Sequence, residues 1–563
     1  MTRWILTAAA LLTALLTPAF GPAEAATRAL LVGIGDYPGM KQDEQLEGPP
    51  HDVAALRALL TIDHGVPGEN IVTRVDGAAT RKEILDALDR LVDAAEAGDF
   101  IFFYFSGHGT SAHGNPRLSL DLHTGAIYPH DYKRGTPEEI RNRLIIGSRD
   151  IRPRLKALDG KGALALVSFD ACFSGYAVRS LRGREGRRSR YVPLPIDSLT
   201  DGPTGDYGEQ TAEAPPYPYR NVVYISGSSP DELADDISQG RIWSGTSTVD
   251  GKPHGAMTDA LLRALGGGAD TDGNGEITLK EIYQYVKVTT SERFTQTPLL
   301  LFNEDHREVL DRPVFRSAGP VPPPPTPDAD APLRVKLEGD AAELKDRIEG
   351  INGLTLTEDD FDILVTHQRA GKRSVRRTLY LYLDSGALLA QVAAGEIGPY
   401  LERQVDARKL IRFRYDNQPF NVSLTVTPEG GVFREGSPIG FVIESDADAY
   451  ILLINIDSGG HVNVIYPYFQ REMEPVSAGE PLEIPDCAKV VPPHFGTEYM
   501  KVIAFGKRPS DFAQVLKCEV SADDPKVRAI AAMIRRAAGD AAQMTLPIKT
   551  VPAEDIVRVD GGS

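Results

Sequence analysis

The sequence predicts an α/β protein: a mostly parallel sheet flanked by helices, followed by a small α/β module and a C-terminal β-sandwich. Three observations carry this. Two short runs, residues 99–105 and 163–169, are mostly apolar and too short for typical helices, which is the pattern of buried parallel strands. Each stops at a small, polar, glycine-containing stretch, Ser106-Gly107-His108-Gly109 and Asp170-Ala171-Cys172-Phe173-Ser174-Gly175. Past residue 421 the pattern turns to strands, and 563 residues exceed one ordinary core, so several domains are expected.

Read from the start, Met1-Thr2-Arg3 is positively charged, residues 4–20 are apolar, and Ala23-Glu24-Ala25 has the small residues a signal peptidase reads. Residues 1–25 are therefore expected to be a signal peptide, with export to a periplasmic or extracellular space. No later segment has the length of apolar chain that a membrane span needs. Three cysteines agree with export, because Cys487 and Cys518 could pair in an oxidising compartment and leave Cys172 free. The net charge of -18 argues against a nucleic-acid binder, which needs clustered basic surface.

The peptide following the signal, residues 26–318, is expected to form the main domain. Gly319-Pro320-Val321-Pro322-Pro323-Pro324-Pro325-Thr326-Pro327 then opens a Pro-rich linker over 319–332. Residues 333–420 mix strand and helix patterns, such as 378–383 and 340–348, and read as a small α/β module. Residues 421–523 read as the sandwich, with a hairpin of 449–456 and 461–466 across Asp457-Ser458-Gly459-Gly460. Residues 524–563 read as an amphipathic helix near 526–538 and a tail.

In open α/β sheets ligands bind at the carboxyl ends of the strands, so His108 and Cys172 are placed to meet across one cleft. A thiol is a weak nucleophile until it loses its proton, and an imidazole can take that proton and later give one to a leaving amine. Glycines beside both residues let a substrate backbone approach and main-chain N–H groups face a developing oxyanion. A lone cysteine at a strand end is more often a buried small hydrophobe. Both segments together, in this order, reverse that balance.

At these residues the chain resembles the caspase-like peptidases and, within them, the bacterial metacaspase-type proteins. The resemblance covers roughly residues 27–310 and includes the stretches 29–37, 46–53 and 222–229, then His254-Gly255-Ala256-Met257-Thr258 and Gln296-Thr297-Pro298. It implies that Cys172 is the nucleophile and His108 the general base and acid, with the N–H groups of Gly109 and Cys172 as oxyanion donors. One position departs: metacaspases usually carry histidine after the nucleophile, where this chain has Phe173. The resemblance also implies an acidic specificity pocket at Asp52, Ser106 and Asp170, and such carboxylates favour a guanidinium or ammonium. Substrates are thus expected to be proteins or peptides with arginine or lysine before the scissile bond. Asp52 is equally readable as a helix N-cap, a role compatible with the pocket.

An arginine-rich stretch, residues 179–190, follows Cys172 among glycines and serines and should be an exposed loop. A pocket for basic residues makes it a site of self-processing, against the plainer reading of a solvated basic surface. Residues 270–281 fit the twelve-residue EF-hand pattern: Asp270, Asp272 and Asn274 as side-chain ligands, Glu276 through its carbonyl, Glu281 bidentate, Gly275 at the sharp turn and Thr278 where a water often bridges. Calcium is the expected ion, with activation by it as a possible consequence. The sandwich resembles a bacterial domain of unknown function often found behind caspase-like domains, which implies binding of an unidentified ligand. The alternative to the enzyme is a non-catalytic envelope protein that uses the same fold to bind partners.

Overall fold

The computed structural model describes residues 25–552 apart from 112–124, 174–187, 193–216, 320–327, 468–473, 513–524 and shorter gaps of one to four residues. Residues 1–24 of the expected signal peptide, most of the Pro-rich linker, the Cys487 side chain and Cys518 lie outside the described residues. The same holds for residues 179–187 of the arginine-rich loop.

The first domain begins with β1 (Thr27–Gly33), α1 (Gly48–Ile62), β2 (Ile71–Val75), α2 (Arg81–Ala94) and β3 (Phe100–Ser106). Short strands β4 (Gly109–Ser111), β5 (Gly125–Ile127) and β6 (Ile145–Ile146) pair beside it, with α3 (Pro137–Arg143) before the last. Then come α4 (Arg152–Lys161), β7 (Leu164–Asp170), β8 (Arg188–Ser189), β9 (Val222–Ser226), β10 (Asp235–Ile237), α5 (Gln239–Trp243), β11 (His254–Gly255) and α6 (Ala256–Arg263). The domain closes with β12 (Glu276–Thr278), α7 (Leu279–Arg293), β13 (Leu299–Leu301) and β14 (Pro313–Arg316).

The central sheet has the order β13-β9-β7-β3-β1-β2 and is parallel except for β13. Alternate residues of its strands point to opposite faces. Leu30, Val32, Phe103, Phe105, Val167 and Phe169 join Leu88 and Leu91 of α2 and Leu155 and Leu158 of α4. Leu31, Phe102, Tyr104 and Leu166 join Leu56 and Leu60 of α1, Met257 and Leu261 of α6, and Ile282 and Val286 of α7. Both faces being dry, β3 and β7 have no polar alternation, which is why they read as continuous apolar runs. The chain passes from β1 to an edge strand, β2, and then crosses β1 to reach β3. The carboxyl ends of β1 and β3 are therefore where the connections diverge, the usual place for a crevice.

The α/β module has a five-stranded sheet backed by helix Ile397–Arg412, whose Ile397, Tyr400, Leu401 and Val405 pack on Leu333, Val335, Ile363 and Leu379. The sandwich stacks strands Val422–Thr427, Pro438–Ser445 and Leu482–Lys489 on a second sheet that includes Ala449–Ile456 paired with Val462–Tyr466. Helix Pro525–Arg536 covers the other face of that second sheet through Ile530, Met533 and Ile534. Residues expected as a tail form strand Ala541–Val551, paired over residues 541–550 with Gly496–Phe505. Leu546 and Ile548 of this strand enter the core between the sheets, so the sandwich continues past 523 to residue 551. The sandwich rests on the first domain: Val288 of α7 packs into its core, and Glu292 of α7 pairs with Arg414.

Candidate active site

β3 and β7 are neighbours in register, with Ser106 opposite Asp170, so the turns that follow them lie side by side. His108 is 1% exposed and Cys172 fully buried. The His108 main-chain N–H donates to the Tyr37 hydroxyl at 2.8 Å, and its ring Nε2 lies 2.6 Å from the Glu44 carbonyl. A carbonyl only accepts, so Nε2 carries a proton and Nδ1 is the basic nitrogen. Nδ1 is buried with no hydrogen-bond partner. Burial drives the imidazole down to about 4, against the Glu44 and Arg190 carbonyls, which favour its charged form.

The Cys172 sulfur is held by Ala234, whose N–H donates to Sγ at 2.7 Å and whose carbonyl lies 3.5 Å away. Burial pushes the thiol well above its ordinary value, so thiol and imidazole are both uncharged in this arrangement. Phe173 turns into the core: its ring contacts Phe169, with centroids 6.5 Å apart, and lies where a side chain at Gly125 would stand. The departure from histidine at 173 is thus a packing residue.

Into the cleft between the two turns comes Arg190. Its carbonyl accepts the N–H of Gly109 at 3.0 Å and of Cys172 at 3.3 Å, so the two expected oxyanion donors converge on one oxygen. Its N–H donates to the Ala234 carbonyl at 3.0 Å, and β8 before it adds antiparallel to β10. Past it, the Val192 N–H reaches the Gly109 carbonyl at 3.4 Å. Main-chain hydrogen bonds thus hold the chain both before and after Arg190.

The Arg190 guanidinium is fully buried. Nη1 donates to Ser106 Oγ at 2.6 Å and to the Asp170 carbonyl at 3.0 Å, and lies 3.4 Å from Asp170 Oδ2. Nη2 donates to Asp52 Oδ2 at 3.0 Å and to Asp236 Oδ1 at 2.9 Å. Ser106 in turn donates to Asp52 at 2.6 Å, whereas Asp170 Oδ1 and Arg190 Nε are buried with no hydrogen-bond partner. Glycine at 48 and 255 makes the room: a Cβ on Gly48 would come 2.7 Å from Nη2, and one on Gly255 would come 2.6 Å from Cζ and overlap Asp170.

The structure thus brings Asp52, Ser106 and Asp170 together around the Arg190 guanidinium. Asp52 is not a helix N-cap, however. It is the fifth residue of α1, whose N-cap is Glu47, and its carboxylate faces the pocket. The plain reading of the arginine run as solvated surface fails at Arg190 for the same reason.

Charge balance comes from residues that sequence reasoning passed over. Asp236 receives Arg190 and the N–H groups of Glu47 and Gly48. His254 spans two carboxylates, Nδ1 on Asp52 at 2.8 Å and Nε2 on Asp250 at 2.9 Å, so both nitrogens donate and the ring is an imidazolium. Burial works against that charge, but the two carboxylates outweigh it and hold His254 at about 9. Burial likewise works to raise Asp52, yet Arg190, His254 and Ser106 keep it below the ordinary carboxylate value. Asp170, with burial dominant over Arg190, stands at about 6. His254 was legible only as part of a family stretch, and Asp236 only as the second acid in Asp235-Asp236.

The loop between α6 and α7 gathers Asp270, Asp272 and Glu281, with one oxygen from each within 4.8 Å of the others. Burial, with Asp272 nearby, holds the Glu281 carboxyl above its ordinary value despite two hydrogen bonds from Thr278. Three converging carboxylates, one of them half-dry, suit a hard cation with oxygen ligands. Within the same loop the Asn274 amide donates to Asp272 and its oxygen accepts the Glu276 N–H.

A family profile described as the caspase domain matches residues 26–309, and one for a domain of unknown function, DUF4384, matches residues 432–507. Metacaspase-1A of Aspergillus oryzae is 25% identical over 328 residues, covering 52% of this chain and 71% of its own. Metacaspase-1B of Neosartorya fischeri is 32% identical over 277 residues, covering 42% and 61%. Metacaspase-1 of Candida albicans is 33% identical over 318 residues, covering 48% and 64%. The chain spans about two thirds of the length of these curated relatives.

Proposed function

This chain belongs to the caspase-domain family of cysteine-type endopeptidases, and from that premise we propose that it cleaves after arginine or lysine and that its first substrate is its own Arg190–Tyr191 bond. One observation carries the reading: the Arg190 carbonyl takes both oxyanion N–H groups while its guanidinium fills the carboxylate pocket. That is how a bound substrate residue would lie.

The chemistry follows from the residues. Sγ leaves Ala234 and gives its proton to His108 Nδ1, and the thiolate attacks the Arg190 carbonyl carbon. The N–H groups of Gly109 and Cys172 hold the oxyanion. His108 then protonates the leaving amine of Tyr191, and water hydrolyses the acyl-cysteine with the same imidazole as base. The Glu44 carbonyl keeps the proton on Nε2 throughout, which orients Nδ1 for both transfers.

Export after residue 25 and calcium at the acidic loop belong to the same proposal. Asp270, Asp272 and Glu281 would hold the ion, which supplies positive charge between α6 and α7. The first turn of α6 gives the Thr258 N–H to Asp170, so order in the loop would reach the pocket through that helix. Hydrolysis of arginyl, lysyl and aspartyl peptides, with and without calcium and with Cys172→Ala as control, tests the reading. Cleavage of basic peptides by the unmodified chain alone is expected. Cleavage of aspartyl peptides only would overturn the pocket assignment.

A further inference from the structure

Glu232 lies two residues before Ala234 and four before Asp236, at the foot of the cleft wall that holds Cys172 and Arg190. Its side chain is fully buried, and its partners come partly from the other end of the chain. Lys549 Nζ donates to Oε1 at 3.1 Å and Thr497 Oγ1 to the same oxygen at 3.2 Å, while the Thr297 N–H donates to Oε2 at 2.6 Å. Thr497 and Lys549 face each other in register on adjacent strands of the sandwich, Gly496–Phe505 and Ala541–Val551. The Lys549 side chain is 3% exposed. A charge pair this dry is held by its geometry, and removing one member leaves the other buried without compensation.

We propose that the C-terminal sandwich positions the substrate cleft of the peptidase, with Lys549 and Thr497 acting through Glu232 to set residues 232–237. The proposal rests on the peptidase reading of the cleft. Ala234 binds the substrate main chain and Asp236 its basic side chain, so a displaced wall weakens binding more than chemistry. Lys549 is a positioning residue, remote from the reacting atoms.

The test uses the full chain. In a Cys172→Ala background, which keeps Arg190 uncut, hydrogen exchange of peptides covering 232–237 should quicken about tenfold in Lys549→Met and stay near the parent in Lys549→Arg. Removing both charges, Glu232→Gln with Lys549→Met, should restore much of the protection. In the active chain, Lys549→Met should raise KM for an arginyl peptide about tenfold with kcat within about threefold. Unchanged exchange and KM would overturn the proposal, as would a loss of kcat at constant KM, which marks general damage. Failure of the parent to cut any peptide would overturn the peptidase reading instead, and the exchange experiment would still decide the coupling.

Discussion

Two acidic clusters in this molecule are built in opposite ways. The pocket takes Asp52 from α1, Asp170 from the end of β7 and Asp236 from β10, buries all three, and pairs them with Arg190 and His254. The loop takes Asp270, Asp272 and Glu281 from twelve consecutive residues and leaves Asp272 exposed. Buried carboxylates are tolerable only when paired and hydrogen-bonded, as these are with Arg190 and His254. The looser loop suits an ion that keeps some water. Carboxylate count alone does not separate the two; desolvation does.

The largest effect that would break this contrast lies beside the pocket. Cys172→Ala and His108→Ala should each lower arginyl-peptide hydrolysis by more than about a thousandfold in initial-rate assays. Next, Asp236→Asn removes half of a buried charge contact and should cut kcat/KM for arginyl peptides about a hundredfold, within the range of about 2–5 kcal/mol for such truncations. An unchanged value would mean that Asp236 does not read the basic residue.

At the loop, calcium at a hundred times its dissociation constant should stabilise the fold by about 2.7 kcal/mol, seen as a rise in melting midpoint that Asp270→Ala abolishes. Equal midpoints with and without calcium would make the loop a plain turn. The smallest effect is that of pH. His254 is held at about 9, above its ordinary 6.5, so its charge contributes stability in full below about pH 6.5 and loses it as pH rises through about 9. Across that window the melting midpoint should fall by a few degrees, and less so in His254→Gln.

How much of this could be read from the chain follows the same division. The convergence of Asp270, Asp272 and Glu281 follows from a local spacing and was legible in the sequence. The strands β3 and β7 were legible because both their faces are dry, and His108 and Cys172 because they end those strands. Asp52, Ser106 and Asp170 came through family resemblance, since nothing in their spacing says that α1, β3 and β7 meet. Asp236 and His254 were not legible as pocket residues: each sits on a two- or three-residue strand whose place depends on long-range pairing. Strand Ala541–Val551 was passed over because its pairing with Gly496–Phe505 crosses a helix. The link from Lys549 to Glu232 spans 317 positions, beyond any pattern in the sequence.

The central claim is that Arg190 lies in the cleft as a substrate. Mapping new termini by mass spectrometry of the purified full chain tests it most directly. The account predicts a cut between Arg190 and Tyr191 that is absent from Cys172→Ala and from Arg190→Ala. An intact, folded chain with a free Cys172 thiol in the presence of calcium, or the same cut in Cys172→Ala, would contradict it.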